Sequence, residues 1–262
     1  MFHWKYATKS LKRGGQRMVI ALLCIAFGVM SLTSMQSLAS TFKSLILIDP
    51  RLSVGGDAQV TRSATNFLSE QDLAEIEALY QAGQIQRYIP VSFNYNQILR
   101  LEGSSHAFFV NHAVGVDPTQ YPLIGKIGLQ DGRTLAQTLQ GEGDATVTRD
   151  LATQLDIQVG DHLIMGGENS SIPIPLTVQG IVDFTPDYQG QTVFFNLATA
   201  QALWGRASAI TDVLVEWGNP SGEATLTQNG WSIYTPALQE ASNKKAADVF
   251  NFMLNGAGIL GL

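Results

Sequence analysis

The chain has 262 residues, 45% of them apolar, with a formal net charge of −6 and a single cysteine, Cys24. That length and composition suffice for one or two packed domains, and one cysteine excludes both a disulfide framework and a cysteine-based metal site. The charge is sorted along the chain, and no basic stripe with interleaved aromatics occurs, so no nucleic-acid partner is expected.

Residues 1–48 hold Lys5, Lys9, Lys12, Arg13, Arg17 and Lys43 and no acid. The remaining 214 residues hold 10 basic and 22 acidic side chains, a balance of −12. Two such parts do not share one aqueous surface. Between them, Met18 to Phe42 reads "MVIALLCIAFGVMSLTSMQSLASTF" without a charge. Twenty-five helical residues span about 37 Å, against about 30 Å of hydrocarbon. Five cations precede the run, which predicts a cytoplasmic segment over 1–17, a transmembrane helix over 18–42, and export of the rest. A cleavable signal peptide ending near Ser40 is the competing reading. The length of the run and its order favour a retained helix: Ala21, Cys24, Gly28 and Ser31 recur on one helical face, where a second membrane helix approaches closely.

The exported part reads as mixed α and β. "GDAQVTR" (56–62) is a short strand. "LSEQDLAEIEALYQAG" (68–83) is a helix with Ser69 as cap, Asp72 in its first turn, a Leu68–Leu73 staple, a buried stripe of Leu73, Ile76, Leu79 and Tyr80, and Gly83 at its end. "QRYIPVSFNYN", "QILRLEG" and "AFFVNHAVGV" follow as strands. His106 and His112 lie six apart near Asp117 with no third or fourth ligand, so they read as strand or surface residues.

From Pro118 to Trp204 a second block begins. "DATVTRDLATQLDIQVGDHLIMGG" reads as strand, short helix, turn and strand. Thr148 is its expected cap, Asp150 sits in the first turn, and Leu151, Ala152 and Leu155 form the buried side. Gly160-Asp161 makes the turn. In "IPLTVQGIVDF" Gly180 is placed for a bulge or a close backbone approach, and "QTVFFNLATAQALWG" runs from strand into helix.

Chemistry-bearing motifs are sparse. "GKIG" (125–128) lacks the spacing and the hydroxyl of a phosphate loop, and no G-x-S-x-G or H-E-x-x-H occurs. "GEGD" (141–144) and "DFTPD" (183–187) read as solvated loop charge rather than cation sites. Phe108, Phe109, Phe194, Phe195 and Trp217 read as strand core rather than a lipid-facing patch. No catalytic, cofactor or metal residue is assigned.

The order "VTRDLATQLDIQVGDHLIM", "PLTVQGIVDF", "TVFFNLATAQALWG", with "GVDPTQYP" (115–122) before it and "ATKSLKRGGQRMVIALLCIAFGVMSL" at the start, resembles the periplasmic core domain of MacB-like ABC transporter permeases (the MacB/LolC/FtsX type). The resemblance runs from about Trp4 to Leu262. It implies an α+β fold, in which the N-terminal membrane helix is followed by a two-lobed extracytoplasmic domain. A membrane-proximal, porter-like lobe would take 44–117 and 206–245, and a distal, Sabre-like lobe 118–205. It also implies a bacterial inner-membrane location and a cytoplasmic ABC ATPase subunit as partner. Contact with membrane lipid and a homo- or heterodimer of permease subunits follow, as does export or release of a lipophilic, lipoprotein or peptide cargo. A membrane-anchored or secreted binding module without transport is the alternative.

The last residues, "VFNFMLNGAGILGL" (249–262), hold Gly256, Gly258 and Gly261 at G-x-G-x-x-G spacing. A dinucleotide fingerprint needs a preceding strand and a following helix, whereas "KKAADVFNFML" reads as helix. The segment is instead the expected start of a second membrane helix. Gly256 and Gly258 would face the small-residue stripe of the first helix in an antiparallel pair. The sequence stops where the family's second membrane helix begins, so the chain is expected to be a fragment, a split product or a truncation.

Overall fold

A computed structural model describes residues 20–31, 33, 34, 37, 49–62, 67–166, 174–185 and 190–260. The chain divides into two units, Asp49–Glu240 and the chain ends Met1–Ile48 with Ala241–Leu262.

In the unit of chain ends, residues 20–31 are helical (α1). The apolar side chains Ile20, Leu22, Leu23, Ile25, Phe27, Val29 and Met30 are all exposed. A helix that is apolar all round is stable only where something apolar surrounds it. Among the described residues, no helix is long and apolar enough to cross a membrane. The rest of the expected run lies largely outside the described residues, and the expected cytoplasmic segment 1–17 wholly so.

The other unit begins with α2 (Pro50–Val54), capped by the Asp49 side chain and closed by Gly55 at φ 80°. β1 (Ala58–Arg62) and α3 (Glu70–Gln81) follow. The expected capping box of α3 is present: the Ser69 hydroxyl accepts from Asp72 N, and Asp72 Oδ2 accepts from Ser69 N at 2.8 Å. Its far end is a Schellman turn, with Gly83 N donating to Tyr80 O and Gln84 N to Leu79 O. Ile76 and Leu79 are buried and Leu73 packs beside them. Tyr80 departs from the expected stripe: it is exposed and stands edge-on to Tyr88 at 5.7 Å.

The two strands expected over 86–103 are one, β2 (Ile85–Leu101). Asn96, at φ 53°, turns the backbone without ending it. Asparagine tolerates this left-handed conformation better than most residues. The strand serves three neighbours: its first half pairs with β9 (Asp212–Trp217), its second half with β6 (His162–Gly166), and its other edge with β3 (Ala107–Val116).

β4 (Gly128–Leu129) and α4 (Leu135–Thr138) lead to β5 (Asp144–Thr148) and α5 (Arg149–Leu155). Thr148 stands at the cap of α5, but its hydroxyl is used elsewhere, donating to Gly190 O at 2.7 Å and accepting from Thr192 N at 3.1 Å. β7 (Ile174–Phe184), β8 (Thr192–Asn196) and α6 (Leu197–Trp204) complete the block. The chain then forms β9, α7 (Ser221–Gln228), β10 (Trp231–Tyr234) and α8 (Pro236–Leu260).

The strand order is β10-β1-β9-β2-β3-β8-β5-β7-β4, with β6 bonded to both β2 and β7. That double pairing closes β2, β3, β8, β5, β7 and β6 into a ring, which removes their free edges. All six contribute to one core through Leu99, Val110, Phe195, Val147, Leu176 and Met165, joined by Leu151 of α5 and Leu203 of α6. A second cluster, with Phe93, Val114, Leu123 and Phe194, covers another face. A third packs α3 and α7 on β1 and β9 through Ile76, Leu226, Val60 and Val213.

Gly180 stands at the expected bulge, where the β5–β7 register shifts, but what crowds it is a side chain rather than another backbone: a Cβ there would meet Leu129 Cδ2 at 2.8 Å. Phe194 and Phe195 are core and Phe108 and Trp217 half-buried, but Phe109 is 68% exposed. It points away from the ring core that Val110 enters, because successive residues of a strand face opposite ways.

Candidate functional site

A groove of about 580 Å³ opens where β2 parts from β9. Its lining comes from Gln59 and Thr61 of β1, Tyr95 of β2, His112 of β3, Asp212 of β9 and Ile233 and Tyr234 of β10, with Ser53, Ser232 and Gln239 at its margins. Strand pairing sets this convergence: Gln59 lies opposite Leu214 and Tyr234, and Tyr95 opposite His112. Tyr95 and His112 meet edge to face, their rings 5.3 Å apart.

Asp212 is the centre of the site. Its residue is only 8% exposed, and it is the one charged residue among the buried described residues. Its carboxylate accepts from Gln59 Nε2 at 2.9 Å and from the Thr211 hydroxyl at 2.5 Å. Both donors are neutral. Burial pushes its carboxyl up from 3.8, and the hydrogen bonds from Thr211 and Gln59 offset only part of that. Thr211 is itself fixed, since Phe93 N donates to its hydroxyl at 2.7 Å and Thr61 Oγ1 to its carbonyl at 2.8 Å. Burial lowers the His112 imidazole from 6.5, which favours its neutral form. Sequence reading missed this site. The signal was an acid opening the otherwise apolar "DVLV", the four buried residues that begin β9.

A second groove, of about 630 Å³, lies between α3 and the 117–123 turn, lined by Glu77, Tyr80, Arg87, Tyr88, Asp117 and Leu123 among others. Its acids are held locally: Glu77 accepts from the Tyr88 hydroxyl, and Asp117 Oδ1 from Thr119 N at 2.9 Å and from the Thr119 hydroxyl at 2.7 Å.

The residues singled out in the sequence fall elsewhere. Ala21, Cys24, Gly28 and Ser31 lie on α1, all exposed, and a Cβ at Gly28 would meet nothing within 4 Å. Gly256 and Gly258 lie inside α8, so no strand-loop-helix exists there to cradle a pyrophosphate. His106 is exposed, and among the described residues no three of His, Cys, Asp and Glu gather to hold a metal ion. Asp144 is occupied within its loop, accepting from Gly141 N at 2.6 Å and from Gln179 Nε2 at 2.7 Å. Asp183 is ion-paired with Arg149 at 2.5 Å.

A known family model matches the sequence over most of these elements. Residues 18–226 fit the MacB-like periplasmic core domain. The chain belongs to this family. The match begins in the uncharged N-terminal run and ends in α7, so it takes in the ring and all of the flanking sheet except β10. Among solved structures, the periplasmic region of MacB from Actinobacillus actinomycetemcomitans is similar at a TM-score of 0.50 and 16% identity, over 76% of this chain and 97% of that one. The extracellular domain of the noncanonic ABC-type transporter YknZ from Gram-positive bacteria gives 0.48 and 14%, over 68% and 99%. No curated protein matches the sequence. The MacB-like core domain is an α+β unit of an ABC transporter permease; Asp212, Gln59, Tyr95 and His112 of the groove lie within the span that the family model covers, while Ile233 and Tyr234 lie beyond it.

Proposed function

We propose that this chain is the anchored extracytoplasmic part of a MacB/LolC/FtsX-type permease subunit. In this reading residues 18–42 cross the inner membrane with the N-terminus inside the cell. A separate cytoplasmic ATPase hydrolyses ATP, and the motion reaches the outer domain through the membrane helices. The cargo is lipophilic, a lipoprotein or a peptide, and the permease subunits act as a dimer. The observation that carries the reading is the family match over 18–226, which starts within the uncharged run. Exposed apolar residues all around α1 support it, because such a surface is stable in lipid and costly in water.

We assign 44–117 and 206–245 to the membrane-proximal lobe and 118–205 to the distal one. In support, β1, α3, β9 and α7, all within the first of these, share one apolar cluster; the ring core draws on both, through Leu99 and Val110 of the first and Val147 and Leu176 of the second. Ala21, Cys24, Gly28 and Ser31 serve as the packing face toward Gly256 and Gly258. Bulky residues at Gly28 and Gly258 would then reduce crosslinking between the two segments, and unchanged crosslinking would refute the pairing.

Topology tests the whole proposal. In a Cys24→Ser background, a cysteine placed at exposed Ser105 should react with an impermeant maleimide in intact cells, and one placed at Ser10 should not. The solubilised chain should also bring down an ATP-binding subunit. Labelling at both positions, or at neither, would sink the anchored orientation. Correct labelling with no ATP-binding partner would favour the anchored binding module over the transporter.

A further inference from the structure

Asp212 is a buried acid with no lysine or arginine paired to it among the described residues. Four acids on and beside the flanking sheet are matched by arginines: Asp72 and Glu75 by Arg62, and Asp57 and Glu216 by Arg51. Asp212 is buried more deeply, and its carboxylate meets a neutral amide and a neutral hydroxyl. Among the described residues, no lysine or arginine lines the groove into which it opens. Taking a carboxylate out of water without a cation is costly unless its charge is met some other way.

The remaining lining narrows what meets it. Tyr95, Tyr234 and His112 supply aromatic rings, and Ile233 an apolar wall. A hard divalent ion is held by several oxygen ligands, commonly with more than one carboxylate among them, and among the described residues no three of His, Cys, Asp and Glu gather there. An anion would face Asp212 in a part of the chain that carries a −12 balance. An aromatic-flanked single carboxylate suits a monovalent organic cation, whose charge is attracted both by the acid and by ring faces. The groove's volume of about 580 Å³ is that of a small-molecule pocket.

We infer that the groove over Asp212 binds an organic ammonium group, held by the Asp212 carboxylate and flanked by Tyr95 and Tyr234. The inference stands on the groove alone and does not depend on the transporter reading. Two sources can supply the ammonium group, a free alkylamine or the headgroup of an aminophospholipid.

Ring NMR of the full chain carrying ¹³C-labelled tyrosine, in nonionic micelles, tests it. The expected result is saturable shifts of Tyr95 and Tyr234 with n-butylammonium, and none with the neutral 1-pentanol. Asp212→Asn should weaken the response about tenfold or more. In a second arm, the chain in phosphatidylethanolamine vesicles should show the same shifts relative to phosphatidylglycerol vesicles if the source is a headgroup, and no difference if it is a free amine. Equal shifts with 1-pentanol, undiminished binding by Asp212→Asn, or no saturable shift in either arm would overturn the inference. If Asp212→Asn fails to fold, Tyr234→Ala decides: the side chain is part-exposed, so its removal should spare the melting profile and weaken butylammonium binding at least about threefold. Unchanged binding there would equally overturn it.

Discussion

Arg62 joins four elements at once. Its Nε donates to Asp72 at 2.7 Å and its Nη2 to Glu75 at 2.8 Å, both on α3. Its Nη1 donates to Asn229 O after α7, and its guanidinium lies 4.7 Å from the Trp231 ring of β10. An isolated exposed pair would be worth little, but these groups are partly buried and share one geometry. Arg62→Ala should therefore lower stability by about 2 kcal/mol, with Arg62→Lys recovering only part of it, as denaturant titration would measure. Asp72 has a further signature. Burial raises its pKa, but hydrogen bonds from Ser69 and the Arg62 charge outweigh this and hold it below 3.8. A lowered folded value means stability that is present above 3.8 and lost as pH falls through the folded value. Asp72→Ala should cost about 1 kcal/mol at neutral pH and much less in acid, read from melting curves at the two pH values. Asp212 has the opposite sign. Its folded value is raised, so its contribution is full below 3.8 and is lost as pH rises through the folded value. Asp212→Asn should remove that decline, leaving stability flatter with pH across that window. The capping role of Asp72 was legible from "SEQD", because both partners are four residues or fewer apart. Arg62 and Asp212 were not, because their partners lie up to 167 residues away in the chain.

Close approach between elements gives sharper predictions. Gly115 lets α6 sit on β3: a Cβ there would lie 2.7 Å from Ala200 Cβ and 3.0 Å from Ser92 Cβ. Neither neighbour can rotate away, so Gly115→Ala forces helix and strand apart and should cost about 1–3 kcal/mol. At Gly180 the nearest atom is Leu129 Cδ2, the tip of a side chain that can change rotamer. Gly180→Ala should therefore cost less than Gly115→Ala, and equal losses in paired unfolding titrations would contradict this. Helices with local caps are legible in the sequence: α3 by its capping box, and α6 by Asn196, whose Oδ1 accepts from Thr199 N at 2.8 Å. The continuity of β2 is not. "NYNQ" carries turn formers, yet β3 pairs on either side of Asn96, with Tyr95 opposite His112 and Gln97 opposite Val110, and so carries one strand across the left-handed residue. Thr148 misled for the same reason, since a partner 42 residues away claims its hydroxyl.

At the scale of the molecule, ring closure by β6 is the decisive event. It pairs with β7 as a short-range neighbour and with β2 across 62 to 68 residues, from Leu101 meeting Leu163 to Ile98 meeting Gly166, spacings that loop closure makes slow and entropically costly to reach. Met165 and Leu163 are fully buried in the ring core. Met165→Asp would place an unpaired charge there and should unfold the ring, seen as loss of cooperative melting. The family fold and the sorted charge also set a prediction for the whole chain: it should remain with the membrane fraction after alkaline washing, and release by that wash would contradict the anchor.

By itself, the sequence determined what depends on neighbours along the chain. This includes the uncharged helix behind its basic flank, the caps and turns, the α+β character and the family, because each needs only periodicity or short spacing. The tertiary structure alone decided the closed ring, the single long β2, the exposure of Phe109 and the groove over Asp212. In each of these, burial or pairing is conferred by residues distant in the chain, and no local pattern records which distant strand will lie alongside.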